Sequence, residues 1–306
     1  MNLMSIFNQI LVLFIVIIVG YYLRKKCIID KSFTLTCSKL ILSVFLPASI
    51  INSMQIEYSQ DMISTILNLI FISLIMYLVS FVIAILLKFF SKTDNNIGIY
   101  QYIIMFSNVG FMGYPIVSTI LGLEAIFYTA IFNLPFNILL MTIGVYFLST
   151  GKMQKYSFDL KQFFNPMIIS IIIGFVLFIF KIKLPFSINE SIGLLGNLTT
   201  PLSMLLIGSL VSESRAIDCF KNKFLLFVSF IRLLVLPLIM YIILINSVTN
   251  SLLLHIPIII AAMPAATNTA IMAIEYKSNE ILASQAVFLT TLFSLITIPI
   301  VCFFLF

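Results

Sequence analysis

The chain alternates long apolar stretches with short polar loops. A transmembrane helix needs about 20 consecutive apolar residues, and stretches of roughly that length follow one another along all 306 residues. We place ten spans at residues 5–24, 33–54, 62–90, 97–121, 122–148, 163–180, 188–211, 222–246, 252–274 and 279–303. This pattern predicts an all-α integral membrane protein with ten transmembrane helices.

The fourth span contains residues that do not suit a lipid-facing helix. The run SNVGFMGYP, from Ser107 to Pro115, combines two polar side chains, two glycines and a proline. Pro115 removes a backbone donor and clashes with the preceding turn, and Gly110 and Gly113 lower the cost of non-helical backbone. We therefore predict a helix that is broken near the middle of the membrane, where protein or a water-filled cavity must cover it.

The ninth span repeats this pattern. In AAMPAATNTAIMAIEY, Thr267 and Asn268 align with Ser107 and Asn108, and small residues align with the glycines. Pro264 precedes the aligned residues and is a second candidate for breaking a helix. Interrupted spans at corresponding places in two halves are typical of transporter binding sites, so the pattern favours a carrier.

Other landmarks support a duplicated chain. Gly20 matches Gly174 at an offset of 154 residues, and Pro47 with Ser49 matches Pro201 with Ser203 at the same offset. We divide the chain into a first five-helix repeat (1–149), a short cytoplasmic linker (150–162) and a second repeat (163–306). An odd number of spans in each repeat gives the two halves opposite topology, which is the inverted-repeat plan of many secondary transporters.

Composition agrees with this prediction and excludes several classes of protein. Apolar residues make up 61% of the chain, charged residues 9%, and the mean hydropathy is +1.18, far outside the usual range for soluble domains. Ten spans of about 20 residues with short loops fill the 306 residues, so we expect no soluble domain. The first apolar stretch lacks a basic start and a cleavage site, so we expect a retained span rather than a signal peptide. The cysteines show no metal-ligand spacing and we expect no disulfide; they are Cys27, Cys37, Cys219 and Cys302.

Loop charges predict the orientation. One set of alternate loops receives thirteen basic residues: Arg24, Lys25, Lys26, Lys31, Lys88, Lys92, Lys152, Lys155, Lys161, Arg215, Lys221, Lys223 and Lys277. The other set receives only Lys181 and Lys183. By the positive-inside rule the basic loops are cytoplasmic and both termini lie outside the cell membrane. The net charge of +6 is explained by these loops, and we expect no nucleic-acid partner.

Several motifs resemble those of the auxin efflux carrier family, and the resemblance covers essentially the whole chain. They are LPASI, NVGFMGYP, NP at Asn165–Pro166, LLGNLTTPLSMLLIGSLV, RLLVLP and AAMPAATNTAIMA. The compact bacterial members, often named malate permeases, are the most similar. The resemblance implies two inverted five-helix repeats with crossing fourth and ninth helices, and transport of organic anions. Plant members that carry auxin have a long mid-chain loop, and the short linker here argues against auxin.

Asn108 and Asn268 are the principal candidates for binding substrate. An amide offers two donors and an acceptor, and a broken helix exposes N–H groups that suit a carboxylate. The alternative is that each side chain satisfies carbonyls freed by the break. Ser107 and Thr267 add hydroxyls that bind substrate or bond back to the preceding turn.

A second group of residues has accessory roles. Gly110, Gly113, Pro115 and Pro264 shape the break rather than touch substrate. The resemblance places four residues beside the crossing, and a plain helix kink is their alternative role: Pro47, Ser49, Pro201 and Ser203. Arg232 lies about ten residues into the eighth span. It pairs with a carboxylate or, as we favour from the sequence, snorkels or bonds to carbonyls near Pro237.

The sequence therefore favours a secondary transporter of small organic anions that works by alternating access. The alternative is a sodium-coupled symporter or a sodium–proton antiporter of the same architecture, although none of the eleven acidic residues lies mid-span. An enzyme is disfavoured because the chain has one peripheral histidine and no metal-binding carboxylate motif. We expect no cofactor and no metal site. The coupling ion (proton or sodium) and the oligomeric state, with a homodimer as one option, stay open.

Overall fold

The computed structural model describes residues 3–55, 60–90, 96–149, 166–213 and 216–305. Within these ranges the regular structure is helical, and the extended pairing consists of one isolated antiparallel bridge. The predicted linker, with its three lysines, lies outside the described residues, as do Lys92, Asn165 and Arg215. Nothing in the structure therefore tests these positions.

The first 149 residues contain nine described helices. These are α1 (Leu3–Lys25), α2 (Lys31–Leu40), α3 (Leu46–Ser53), α4 (Gln60–Phe90), α5 (Ile97–Met105), α6 (Tyr114–Leu121), α7 (Ala125–Phe132), α8 (Leu134–Leu139) and α9 (Val145–Leu148). π-helical turns, which have wider i→i−5 hydrogen bonding, join several of them. They are Ile41–Phe45, Val109–Gly113 and Leu140–Gly144.

The second half contains eight more helices in its described part. These are α10 (Pro166–Ile179), α11 (Phe186–Asn197), α12 (Thr199–Glu213), α13 (Lys223–Phe230), α14 (Leu236–Leu244), α15 (Ser251–Ala261), α16 (Thr269–Glu275) and α17 (Glu280–Leu305). A 3₁₀ helix, Ala216–Lys221, precedes α13, and a fourth π-turn, Ile231–Val235, joins α13 to α14.

Described helices lie in each of the predicted spans, and apart from the breaks in the fourth and ninth spans their outer ends differ from the predicted bounds by a few residues. Among the described residues, five stretches are long and apolar enough to cross a membrane: Lys31–Ser53, Met62–Phe90, Phe186–Ser212, Lys223–Leu244 and Glu280–Leu305. Four shorter apolar stretches accompany them: Val109–Leu121, Ala125–Phe136, Pro166–Ile179 and Ser251–Ala261. The protein is therefore an all-helical, multi-pass membrane protein.

Prolines explain three of the four π-turns. Pro47, Pro115 and Pro237 each lie two residues after a π-turn ends. A proline ring clashes with the carbonyl four residues earlier, and a wider preceding turn moves that carbonyl away. In two cases the residue before the proline makes the i→i−5 bond: Leu46 donates to Ile41, and Leu236 donates to Ile231.

The chain forms two compact units, each built from both halves of the sequence. Unit 1 comprises residues 1–70, 110–134 and 160–213, and unit 2 comprises residues 71–109, 135–159 and 214–306. The two units are defined by contacts between residues, whereas each predicted repeat is one continuous range of the sequence. The units therefore do not test the repeat boundaries, which stay a prediction.

Glycines bring helices of unit 1 into close contact. A Cβ on Gly20 in α1 would overlap the backbone oxygen of Leu205 in α12, and a Cβ on Gly208 in α12 would overlap the backbone oxygen of Ile17. Between α11 and α3, a Cβ on Gly196 would lie 2.9 Å from the Cα of Ser49. Small residues of this kind let membrane helices pack backbone to backbone.

Helix α5 forms the interior of unit 2. All its residues from Gly98 to Met105 are buried, and the buried rings of Tyr102 and Phe106 pack with their centroids 4.7 Å apart. Gln101 is fully buried and its Nε2 donates to the backbone oxygen of Ala84 in α4, at 2.9 Å. The fourth apolar segment therefore carries its polar residues inside the protein.

Candidate functional site

Helix α5 stops abruptly inside unit 2. Met105 is its last residue, and Phe106 has extended backbone, with φ of −111° and ψ of 115°. The Phe106 ring is wedged between Tyr102 and Phe136, whose ring centroid lies 5.6 Å away. Beyond Asn108 the chain resumes as the π-turn Val109–Gly113. The interruption is therefore only three residues long, from Phe106 to Asn108.

A second interruption lies in the same unit. Helix α15 ends at Ala261 and α16 begins at Thr269, so residues 262–268 are not helical. Pro264 lies in this segment, where its missing N–H cannot break a helical hydrogen bond. The chain is thus interrupted in both segments where the sequence predicts it.

The two interruptions pair with each other. Ser107 and Ala265 form an antiparallel bridge, in which the N–H of Asn108 donates to the Pro264 oxygen (2.8 Å) and the N–H of Ala266 donates to the Phe106 oxygen (3.0 Å). The N–H of Ala265 donates to Thr290 Oγ1 in α17, at 3.1 Å. Non-helical backbone survives at membrane depth only when its polar groups are satisfied in this way.

The four predicted binding residues lie at or within three positions of this bridge. Ser107 is 1% exposed and Asn108 is 3% exposed, whereas Thr267 and Asn268 are half-buried. Of these four side chains, two have a buried oxygen that makes no hydrogen bond to the described part of the chain: Ser107 Oγ and Asn268 Oδ1. Asn268 precedes α16, yet its side chain does not cap that helix. The side-chain oxygen of Asn268 is therefore available to accept a hydrogen bond from a ligand.

The glycines and proline assigned to the first break lie just after it, in unit 1. Gly110 and Gly113 belong to the π-turn, and Pro115 is the second residue of α6. Gly113 has ordinary helical backbone, with φ of −59° and ψ of −55°. The non-helical backbone is provided by Phe106 instead, because pairing with residues 264–266 replaces the helical hydrogen bonds there.

Of the accessory candidates, only Arg232 shares unit 2 with the paired segments. Its side chain is 1% exposed, and Nη1 donates to the Ile104 oxygen at 3.4 Å. The others lie in unit 1. Pro47 and Ser49 are buried in α3, Pro201 is exposed in the first turn of α12, and Ser203 is buried, with no partner for its hydroxyl among the described residues.

The sequence pattern did not point to Thr290, whose hydroxyl binds the second interruption. Its hydroxyl donates to the Ala286 oxygen and accepts from Ala265. The signal was the pair Thr290–Thr291 inside an apolar run, but helical threonines commonly bond only to their own helix. Among the described residues, no group of three or more histidine, cysteine or acidic side chains has metal-binding geometry.

Comparisons with known proteins identify the family. The profile of a family described as membrane transport protein matches residues 5–302. An uncharacterized transporter of Methanocaldococcus jannaschii is 25% identical over 304 residues, which cover 96% of each chain. An uncharacterized transporter of Methanothermobacter thermautotrophicus is 22% identical over 303 residues, again 96% of each chain. The chain therefore belongs to this membrane transport family, the auxin efflux carrier family.

Proposed function

We propose that the protein is a secondary transporter that moves small organic anions, such as carboxylates, across the cytoplasmic membrane. The observation that carries this proposal is the bridge between Ser107 and Ala265, which brings two interrupted helices together inside one unit. A transport protein has a use for interrupted helices at membrane depth, because they offer polar groups to a substrate where an intact helix offers none.

The chemistry beside the bridge favours an anion. The Asn108 and Asn268 amides and the Ser107 hydroxyl are donors that a carboxylate accepts from. None of the eleven acidic residues lies in the middle of a predicted span, so no fixed negative charge opposes an anion there.

The architecture that goes with this function is a pair of inverted five-helix repeats whose fourth and ninth helices cross. The interruptions occur in the fourth and ninth apolar segments, and each of these is the fourth span of its predicted repeat. In this arrangement the substrate binds near the midplane, and the site opens to each side of the membrane in turn.

Uptake into proteoliposomes tests the proposed function. We expect purified protein to accumulate at least one radiolabelled acid from a panel of lactate, malate, succinate and benzoate, faster than empty liposomes do. Imposing sodium and pH gradients separately identifies the coupling ion. Uptake of neutral or cationic solutes in place of every acid would contradict the proposal.

Labelling tests the proposed orientation, with both termini outside. In a cysteine-free background, an impermeant thiol reagent added to intact cells should label Lys183→Cys but not Lys221→Cys, because thirteen basic residues occupy the loops on the Lys221 side. After permeabilisation both positions should react. The reverse pattern would mean that the basic loops face outward.

A further inference from the structure

Arg232 is a buried charge near the middle of a span. It lies in the π-turn Ile231–Val235, within the membrane-length stretch Lys223–Leu244, and its side chain is 1% exposed. A cation at this depth is costly, and such residues commonly mark the pathway of a substrate or ion.

The Nη1 group of Arg232 stabilises the end of the interrupted helix α5. In an uninterrupted α5 the Ile104 oxygen would accept from the N–H of Asn108, but that N–H donates to Pro264. Arg232 Nη1 donates to the released Ile104 oxygen instead. The positive charge therefore lies at the C-terminal end of α5, where the helix dipole favours a cation, one helical turn before Ser107.

The other edge of the guanidinium makes no hydrogen bond to the residues that the structure describes. Within the described part of the chain, Nε and Nη2 are buried and make no hydrogen bond. These two nitrogens form one edge of the planar group, and their parallel N–H bonds match the two oxygens of a carboxylate. Buried charged donors without acceptors are unfavourable, so an anion that reaches this edge gains two charge-assisted hydrogen bonds.

We propose that Arg232 binds the substrate carboxylate through its Nε–Nη2 edge, while Nη1 stays on Ile104, and so makes the carrier selective for carboxylates over neutral molecules of the same shape. This rests on the proposed function and narrows its substrate class to acids whose planar carboxylate fits one arginine edge. The same charge repels a metal cation from this position.

Binding to the purified full-length chain tests this role. The probes are acetate, lactate and succinate, each compared with its primary amide by isothermal titration calorimetry. We expect wild type to bind the best carboxylate at least about tenfold more tightly than its amide. Arg232→Gln should lose roughly tenfold to a hundredfold in carboxylate affinity while its affinity for the amide stays unchanged. Arg232→Lys keeps the charge without the two-pronged edge, so its carboxylate-to-amide ratio should be intermediate.

Arg24→Gln is the matched control, because Arg24 also donates from Nη1 to a backbone oxygen, that of Ile29, at 2.9 Å. The ratio of carboxylate affinity to amide affinity in Arg24→Gln should equal that of wild type. If Arg232 only caps α5, Arg232→Gln will lower the Tm and leave the ratio unchanged, which would overturn the inference. If Arg232→Gln cannot be purified, a wild-type ratio in Arg232→Lys overturns it equally. If wild type binds none of the carboxylates, the proposed function fails together with this inference.

Discussion

Replacing Gly208 with leucine should prevent the protein from folding, and replacing it with alanine should destabilise it clearly. Any Cβ at this position meets the backbone oxygen of Ile17 in α1, and backbone cannot move aside as a flexible side chain can. The reciprocal contact, Gly20 against the Leu205 oxygen, holds the same two helices. Overpacking a tight interface typically costs about 1–3 kcal/mol, and a leucine at this contact forces the helices further apart.

The measurement is the Tm of detergent-solubilised variants, followed by size-exclusion chromatography after heating. Gly193→Ala in α11 is the control, because its Cβ would meet nothing closer than the Asn52 side chain, at 3.7 Å. Alanine favours helix over glycine by about 1 kcal/mol, so this variant should match or exceed wild type. Equal Tm values for Gly208→Ala and Gly193→Ala would show that α1 and α12 do not touch at Gly208.

The positions of the helices could be read from the sequence because the membrane sets their length. Apolar runs of about 20 residues have one structural solution in lipid, and the described helices end within a few residues of the predicted spans. The breaks were also visible, because Asn108, Pro264 and their neighbours are poor residues for a lipid-facing helix.

The backbone of the break could not be read from the sequence, because a distant segment determines it. Phe106 carries the extended conformation although phenylalanine has no preference for a break, and Gly113 remains helical although glycine permits one. The pairing with residues 264–266 determines that Phe106, and not Gly113, leaves the helical conformation. Local propensity is a weak guide where tertiary hydrogen bonds of this kind are available.

Landmarks of the predicted repeat also differ in their roles. Gly20 and Gly174 are matched by their apolar surroundings and their spacing, and both mark close packing in unit 1: a Cβ on Gly174 would overlap the Met54 side chain. Pro47 follows a π-turn, whereas Pro201 lies in the first turn of α12, where a missing N–H costs nothing. Sequence spacing thus locates such residues, and only the packing around them shows what each one does.

Replacing either asparagine beside the bridge should weaken substrate binding while the protein still folds. The pairing uses the backbone N–H of Asn108, and the side chain of Asn268 caps no helix, so alanine keeps the pairing intact. Losing one hydrogen bond to a charged group costs about 1.5–3 kcal/mol. Asn108→Ala and Asn268→Ala should therefore each raise the Kd for the transported acid by roughly tenfold to a hundredfold. Aspartate at either position should be worse, because it places a like charge against the anion.

Binding to purified variants decides this, with Asn222→Ala as the control. Asn222 is also in unit 2, but its Oδ1 caps α13 at Leu225 and its Nδ2 donates to Tyr100, so its loss should cost about 1 kcal/mol of stability and leave the Kd unchanged. If both asparagines bind the same carboxylate, the double alanine variant should lose less binding free energy than the two single variants together, because neighbouring contacts to one group are coupled. If the double variant loses as much binding free energy as the two single variants together, the two amides contact separate parts of the substrate. Wild-type affinity in both aspartate variants would mean that the anion binds away from the bridge.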